Sequence, residues 1–223
     1  MSDLTAMGEL FRILNNLIKR RKLARAKIFA DEVKPLLEDL QKTHTEFLCL
    51  IKEMEHSIAY FNSESERQPN VSTHLENQLK LWRNKQLRLE ERRGGRVLTH
   101  ARAKERASAY TANIARKIAL TPTEKKTVFT FFLSVAEYFE ATPSIYNHKM
   151  RDCVRQLAGI FELALKNGYE KRTYKENVTK LLGKLKEQEY LLANRWSIIA
   201  SNFARVEAFL IDDFSPQPRS PAH

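Results

Sequence analysis

The chain has few residues that break helices. Its 223 residues include only 6 glycines and 7 prolines, and three of the prolines, Pro216, Pro218 and Pro221, fall in the last eight residues. A fold of many short strands needs frequent turns, and turns depend on glycine and proline. The scarcity of both through the body of the chain therefore favours long helices.

Cysteine and long apolar runs are also scarce. Cys49 and Cys153 share no short spacing typical of metal ligands or redox pairs, so we expect two reduced thiols in the core. No uncharged apolar run approaches the roughly 18–20 residues that a membrane-spanning helix needs, and Asp3 and Glu9 lie near the N-terminus. These features predict a cytoplasmic protein without a transmembrane segment.

Motifs that carry enzyme chemistry are absent as well. The sequence has no glycine-rich phosphate loop, no nucleophile elbow, no paired cysteine ligands and no helical histidine pair at metal spacing. We therefore predict no metal site, no cofactor and no assigned catalytic set. A non-enzymatic binding or scaffold function in protein–protein interaction is favoured over an enzyme.

What the sequence does have is apolar residues at helical spacing. Alternating steps of four and three residues from Val33 to Phe61 meet one polar residue, His44, and otherwise apolar ones: Leu37, Leu40, Phe47, Ile51, Met54 and Ile58. The same stepping from Val178 to Leu210 is interrupted only by Glu189. Such heptad patterns are typical of helices that pack lengthwise in bundles or coiled coils. A buried Glu189 needs a partner, and His44 is a candidate if the two helices lie side by side.

Further helix boundaries follow from local signals. Thr121-Pro122 with Glu124 predicts a capped helix start before an aromatic-rich run, and Gly168 predicts a helix end. Pro35 either follows the cap of a second helix at Asp31 or kinks one continuous helix. We predict an all-α fold, an elongated bundle of about five to six long amphipathic helices with coiled-coil-like packing.

The domain prediction is correspondingly simple. Residues 1–212 form a single α-helical bundle domain, with a possible hinge at Gly94-Gly95, where paired glycines weaken a helix. Residues 213–223 form a flexible proline-rich tail. The long seams can be satisfied within one chain or between two, so a homo-oligomer is possible.

Positive charge is concentrated in one segment. The formal net charge is +11, and the segment from Lys80 to Lys117 has twelve Lys or Arg against three Glu, a balance of +9. Some of these cations recur at three- and four-residue steps, which on a continuous helix makes one stripe suited to phosphate contacts. The predicted anion-binding residues are Lys85, Arg88, Arg92, Arg93, Arg96, Arg102, Lys104 and Arg106.

Three interpretations of this basic protein stay open. The segment is a solvated helix face, it binds nucleic acid, or it engages an acidic protein or an anionic membrane. Nucleic acid is the leading prediction. An anionic membrane surface suits the first helix, in which Leu10, Phe11, Leu14 and Leu17 lie beside the basic run Lys19 to Arg25. The alternative function is a membrane-acting or toxin-like defence effector, whose helices rearrange to expose the phenylalanine-rich segment.

One short motif suggests a third function. Arg93 and His100 are separated by six residues in Arg-Gly-Gly-Arg-Val-Leu-Thr-His. This octapeptide is similar to the arginine-to-histidine motif of the HEPN family of small helical ribonucleases. The resemblance implies that two such motifs meet across a dimer to cut RNA, with Arg93 and His100 as the candidate catalytic residues.

Overall fold

The computed structural model describes residues 2–65, 71–112, 120–144 and 150–211, and the regular elements in these ranges are all helical. The α-helices are α1 (Ser2–Ile28), α2 (Lys34–Ser65), α3 (Val71–Glu91), α4 (Arg93–Thr111), α5 (Pro122–Ser144), α6 (Met150–Lys166) and α7 (Lys171–Ile211). The prediction of an all-α bundle is confirmed. The predicted tail, residues 213–223, and the basic residues Arg116 and Lys117 lie outside the described residues.

The helix that begins at Ser2 continues past Pro35. A π-helical turn over Phe29–Val33 joins α1 to α2, and the Lys34 N–H donates to the Phe29 carbonyl. Proline lacks an N–H group and its ring crowds the carbonyl four residues earlier, so a wider turn just before Pro35 accommodates it. Of the two interpretations of this region, the continuous helix is the one observed.

Contacts divide the chain into two compact units. Unit 1 comprises Met1–Asp39, Arg102–Val135 and Ile198–His223, and unit 2 comprises Leu40–Ala101 and Ala136–Ser197. The limits of the units fall inside helices α2, α4, α5 and α7.

The α2 seam forms a large part of the core of unit 2. Leu40, Phe47, Ile51, Met54, Ile58 and Phe61 are buried. His44 is buried among them, where its ring stacks on Trp196 at a centroid distance of 4.6 Å and its Nδ1 lies 3.1 Å from the Tyr138 hydroxyl oxygen. Burial lowers the pKa of His44, because the charged imidazolium loses its hydration. The polar break in this seam is therefore a neutral, hydrogen-bonded histidine.

The polar residues in the core face of α7 are not the predicted one. Gln188 is 2 % exposed and Asn202 is also buried, whereas Glu189 is half-buried. The heptad register itself holds along α7, because every seventh residue is buried: Val178, Leu185, Leu192, Ile199 and Val206. The second buried position lies three residues after such a residue, as at Leu181 and Gln188, and not four residues after it, where Glu189 lies.

Unit 1 has an aromatic core from α5, with partners on its other helices. Phe131 and Phe132 are fully buried, and the Phe203 ring of α7 lies 6.1 Å from that of Phe131. Tyr110 of α4 packs 5.5 Å from Phe132, and its hydroxyl donates to Glu32 at 3.1 Å. The phenylalanine-rich run is therefore a buried helix in this unit, as its composition predicts.

The local signals at helix ends agree with the structure. Thr121 and Glu124 make a reciprocal capping box: the Thr121 N–H donates to the Glu124 carboxylate at 2.7 Å, and the Glu124 N–H donates to the Thr121 hydroxyl at 3.3 Å. Gly168 follows α6 with a φ of 77°, the left-handed conformation that a glycine adopts without strain. Neither cysteine forms a disulfide, but only Cys153 is buried; Cys49 is exposed, which corrects the prediction of two core thiols.

Candidate functional site

In unit 2, much of the predicted anion-binding segment is neutralised by carboxylates of its own chain. Lys85 pairs with Glu53 of α2, and Arg92 pairs with Glu46 of α2 at 2.8 Å. Outside the predicted set, Arg83 contacts Glu162 of α6 at 3.1 Å. These carboxylates lie 32 to 79 residues away in the sequence, so no local pattern indicates them. These cations are therefore paired with glutamates on the neighbouring helices α2 and α6.

Arg96 is not part of a surface stripe. It is 6 % exposed, its guanidinium lies 5.7 Å from the centroid of the Phe47 ring, and it donates to Glu46 at 3.4 Å and to the Leu89 carbonyl. Burial lowers the pKa of Arg96, and Glu46 opposes that effect. Arg96 therefore acts inside the bundle, and the exposed stripe expected from the spacing does not include it.

The remaining predicted residues are exposed. Arg102, in unit 1, lies 3.7 Å from Asp39, and Lys104 is exposed on the same helix. For Arg88, Arg93 and Arg106 the described part of the chain offers no ion pair. These three are the predicted cations most available to an external anion.

The two residues of the ribonuclease-like motif lie on one helix. Arg93 begins α4 and His100 follows seven residues later, two turns along the same face. His100 Nε2 lies 3.0 Å from Glu140 of α5, and its ring packs near Phe139 at 6.0 Å. A carboxylate in this position orients the imidazole ring.

Among the described residues of unit 1, helix α1 carries the most exposed apolar surface. Ile13, Leu14, Leu17 and Ile18, here called the α1 surface, have exposed fractions of 52 %, 51 %, 53 % and 50 %. At 100° per residue these four side chains fall within an arc of about 140° on one side of the helix. Arg12 and Lys19 lie on the opposite side, and Arg20 lies at the edge of the apolar arc. The sequence identified Leu14 and Leu17; their exposure required the structure.

The far end of α1 is held to α5. Arg25 is buried and forms an ion pair with Glu124, and Arg21 lies 3.5 Å from the same carboxylate. Phe29, in the following π turn, packs 5.8 Å from Phe203 of α7. The helix is therefore anchored at its basic end, whereas every described side chain from Arg12 to Arg20 is exposed.

Unit 2 also contains an open groove between α2 and α3. Its volume is about 580 Å³, and Tyr60, Leu81 and Trp82 line it together with Lys52 and Lys85. The buried Trp82 Nε1–H donates to the Ser57 hydroxyl at 2.9 Å, which in turn donates to Gln78. The floor of the groove is thus internally hydrogen-bonded.

Within the described ranges, no three His, Cys, Asp or Glu side chains come together as a metal site would require. No helix in those ranges combines the length and hydropathy needed to cross a bilayer. The chain matches no family model, no curated protein and no solved structure.

Proposed function

We propose that this protein is a non-enzymatic helical binding module that attaches to an anionic bilayer surface through α1. The observation that carries the proposal is the α1 surface, in which four large apolar side chains are about half exposed on one side of one helix. Exposed apolar clusters rimmed by polar residues mark interaction sites. An amphipathic helix with cations on its polar side is suited to lie in a lipid headgroup region.

The charge of α1 favours a bilayer over a second copy of the chain. Between Leu10 and Ala30 there are seven Lys or Arg and no Asp or Glu. Two α1 helices packed together would bring these like charges close, which is unfavourable. Anionic lipids supply both an opposite charge and an apolar layer.

The charge and shape of α1 also favour a bilayer over nucleic acid. Phosphate contacts account for Lys19 and Arg20 but leave Ile13, Leu14 and Leu17 in water. Fully burying a leucine or isoleucine side chain contributes about 1.5–3 kcal/mol, so the half that is still exposed is worth roughly 1 kcal/mol for each residue. Each cation near an anionic leaflet adds about 1 kcal/mol. The apolar and the electrostatic contributions are therefore comparable.

Vesicle sedimentation tests the proposal. We expect the protein to sediment with vesicles of phosphatidylcholine and phosphatidylglycerol, and to stay in solution with phosphatidylcholine alone or at high salt. Leu14→Glu with Leu17→Glu should abolish sedimentation, because a carboxylate does not enter the headgroup boundary. The matched control is Leu87→Glu with Leu163→Glu, whose leucines are 62 % and 52 % exposed on α3 and α6.

A second pair of variants tests the electrostatic part. Lys19→Glu with Arg20→Glu should weaken sedimentation with anionic vesicles, whereas Lys180→Glu with Lys186→Glu, on the exposed side of α7, should not. Each variant changes net charge equally, and circular dichroism reports whether its helices persist. An equal loss of sedimentation in the α1 variant and in the α7 variant would contradict a role for α1. A wild-type protein that does not sediment with anionic vesicles would contradict it as well.

The second candidate function is nucleic-acid binding through the basic segment. What supports it is that Arg88, Arg93 and Arg106 are exposed and have no ion pair in the described part of the chain. Replacing all three with Gln should abolish retention of RNA or DNA at moderate salt, because phosphate contacts dominate such binding. Retention that persists in this variant, or is lost equally in Lys19→Glu with Arg20→Glu, would reject the segment as the binding site.

The third candidate is the ribonuclease suggested by the arginine-to-histidine motif. The hydrogen bond between His100 and Glu140 supports it, since an oriented imidazole suits general acid–base chemistry. In that case the protein cleaves RNA as a dimer, and both His100→Ala and Arg93→Ala lose cleavage. Cleavage that survives His100→Ala would rule out the motif.

A further inference from the structure

Three arginines of unit 2 line one small cavity. Arg93 and Arg96 come from the first turn of α4, at a spacing of three residues that places them on the same side, and Arg151 comes from α6. Phe47 and Met150 supply apolar walls. The cavity has a volume of about 20 Å³, enough for one water molecule or one oxygen atom of a larger group.

The hydrogen bonds of Arg96 leave one donor unused. One terminal nitrogen donates to Glu46 and the other to the Leu89 carbonyl, but the buried Nε has no hydrogen-bond partner. The Arg96 side chain is only 7 % exposed, so bulk water does not satisfy this N–H group. A buried donor without an acceptor is costly. An acceptor in the adjoining cavity removes that cost.

The charges around the cavity do not balance. Of the described carboxylates, Glu46 is shared by Arg92 and Arg96, and Glu90 accepts from Arg151 at 3.1 Å. Arg93 has no ion pair in the described part of the chain. Arg92 is exposed and does not line the cavity, so the three lining guanidinium groups have two carboxylates among the described residues, an excess of one positive charge. A neutral water satisfies the Arg96 Nε–H but leaves this excess, whereas an anion satisfies both.

We propose that this cavity is a binding site for a phosphate-sized anion. One oxygen occupies the cavity and accepts from Arg96 Nε, and the other oxygens lie at the cavity mouth, where Arg93 and Arg151 donate to them. Guanidinium groups suit this ligand because their planar arrays of N–H donors match two phosphate oxygens at once. The anion links α4 to α6 and neutralises the excess charge. The site lies within unit 2 and is independent of the α1 surface.

Thermal unfolding of the full chain in different anions tests the site. At matched pH and ionic strength, inorganic phosphate and sulfate should raise Tm in a saturable way, and chloride should not. Titration calorimetry with inorganic phosphate gives the affinity. Arg93→Gln should weaken it roughly tenfold or more, because a charge-assisted hydrogen bond is lost. Arg205→Gln, at an exposed arginine of α7 outside the cavity, is the matched control.

Arg96→Lys tests the unused donor, since lysine keeps the charge but has no Nε–H at that position. It too should weaken phosphate binding roughly tenfold. If Arg96→Lys fails to fold, Arg93→Gln decides. A phosphate monoester, glycerol 3-phosphate, and a diester, dimethyl phosphate, distinguish the kind of ligand that supplies the phosphate. Tight binding of the monoester alone indicates a small phosphorylated ligand. Equal binding of the diester indicates a phosphodiester.

Two results would overturn the proposal. One is a Tm that rises no more in phosphate than in chloride, which indicates that the cavity holds only water. The other is unchanged phosphate affinity in Arg93→Gln, which indicates an adventitious ion elsewhere on the basic surface. Neither result bears on the proposal of vesicle binding, because that proposal is tested with variants of α1 that leave this cavity intact.

Discussion

Arg25 and Glu124 form an ion pair between α1 and α5 in which the arginine side chain is only 9 % exposed. The same carboxylate accepts the Thr121 N–H in the capping box. Burial alone would raise the pKa of Glu124, but the hydrogen bonds from Thr121 and Arg25 outweigh it and hold the pKa below its ordinary value. One glutamate thus caps α5 and anchors the basic end of α1.

Glu124→Gln should lower the free energy of unfolding by about 1–3 kcal/mol, because the buried Arg25 loses its counter-charge. Glu207→Gln, at an exposed glutamate in unit 1, should change it little. Since the folded pKa of Glu124 is lowered, its contribution is fully present above the ordinary value of 4.5 and is lost as pH falls below that value. Urea unfolding at several pH values measures both effects, and equal stabilities for the two variants would contradict the anchoring role.

His44 should make the fold sensitive to mild acid. Its folded pKa lies below the ordinary value of 6.5, so the unfolded chain binds the proton more readily. The contribution of neutral His44 to the free energy of unfolding is fully present above pH 6.5 and decreases as the pH falls from that value towards the folded pKa. In His44→Gln this decrease should be smaller, whereas His56→Gln, at an exposed histidine of α2, should keep it. Identical pH profiles for the two variants would show that His44 is not the group responsible.

Substitution by alanine should stabilise the protein at the two glycines of α4 and destabilise it at Gly168. Gly94 and Gly95 lie inside the first turn of α4, and a methyl group added at either meets no atom within 4 Å. Alanine should therefore stabilise the protein by about 0.5–1 kcal/mol at each position. Gly168→Ala should destabilise it by about 1–2 kcal/mol, because φ is 77° there. Thermal unfolding measures both the increase and the decrease in stability. Destabilisation by alanine at position 94 or 95 would indicate a helix break at the glycines.

Glu46 should hold α4 and the turn before it to α2. Glu46→Gln removes the shared carboxylate of Arg92 and Arg96 and should cost about 1–3 kcal/mol, because Arg96 is buried. Glu91→Gln, at an exposed glutamate of α3, should be nearly neutral. If Glu46→Gln leaves the urea midpoint unchanged, the ion pairs are incidental and the segment is better described as a solvated face.

Much of the fold follows from local pattern. The α2 seam, the capping box at Thr121 and the helix end at Gly168 depend on residues within a few positions of one another, so the sequence is sufficient to predict them. The prediction that Glu189 interrupts the buried face of α7 was wrong, since Gln188 is the residue buried there. Apolar residues lie both three and four positions after Val178, at Leu181 and Leu182, so the sequence does not show which of the two positions faces the core.

The candidate sites were less predictable. Charge counting located the basic segment, but which of its cations are available depends on partners such as Glu46 and Glu53, which are distant in sequence. The unused Nε of Arg96 and the exposure of Leu17 are likewise tertiary properties. The net charge predicts that the protein binds an anion, whereas the packing of the helices determines which surface is exposed to bind it.

The most direct test of the central claim places a polarity-sensitive fluorophore on α1. A cysteine at position 17, made by Leu17→Cys in a Cys49→Ser background, is labelled at an exposed site, since Cys153 is buried. Anionic vesicles should shift its emission to the blue as position 17 enters the acyl boundary, and the same label at Leu163→Cys should not shift. A label at position 17 that stays in water while the protein is bound to vesicles would contradict attachment through α1.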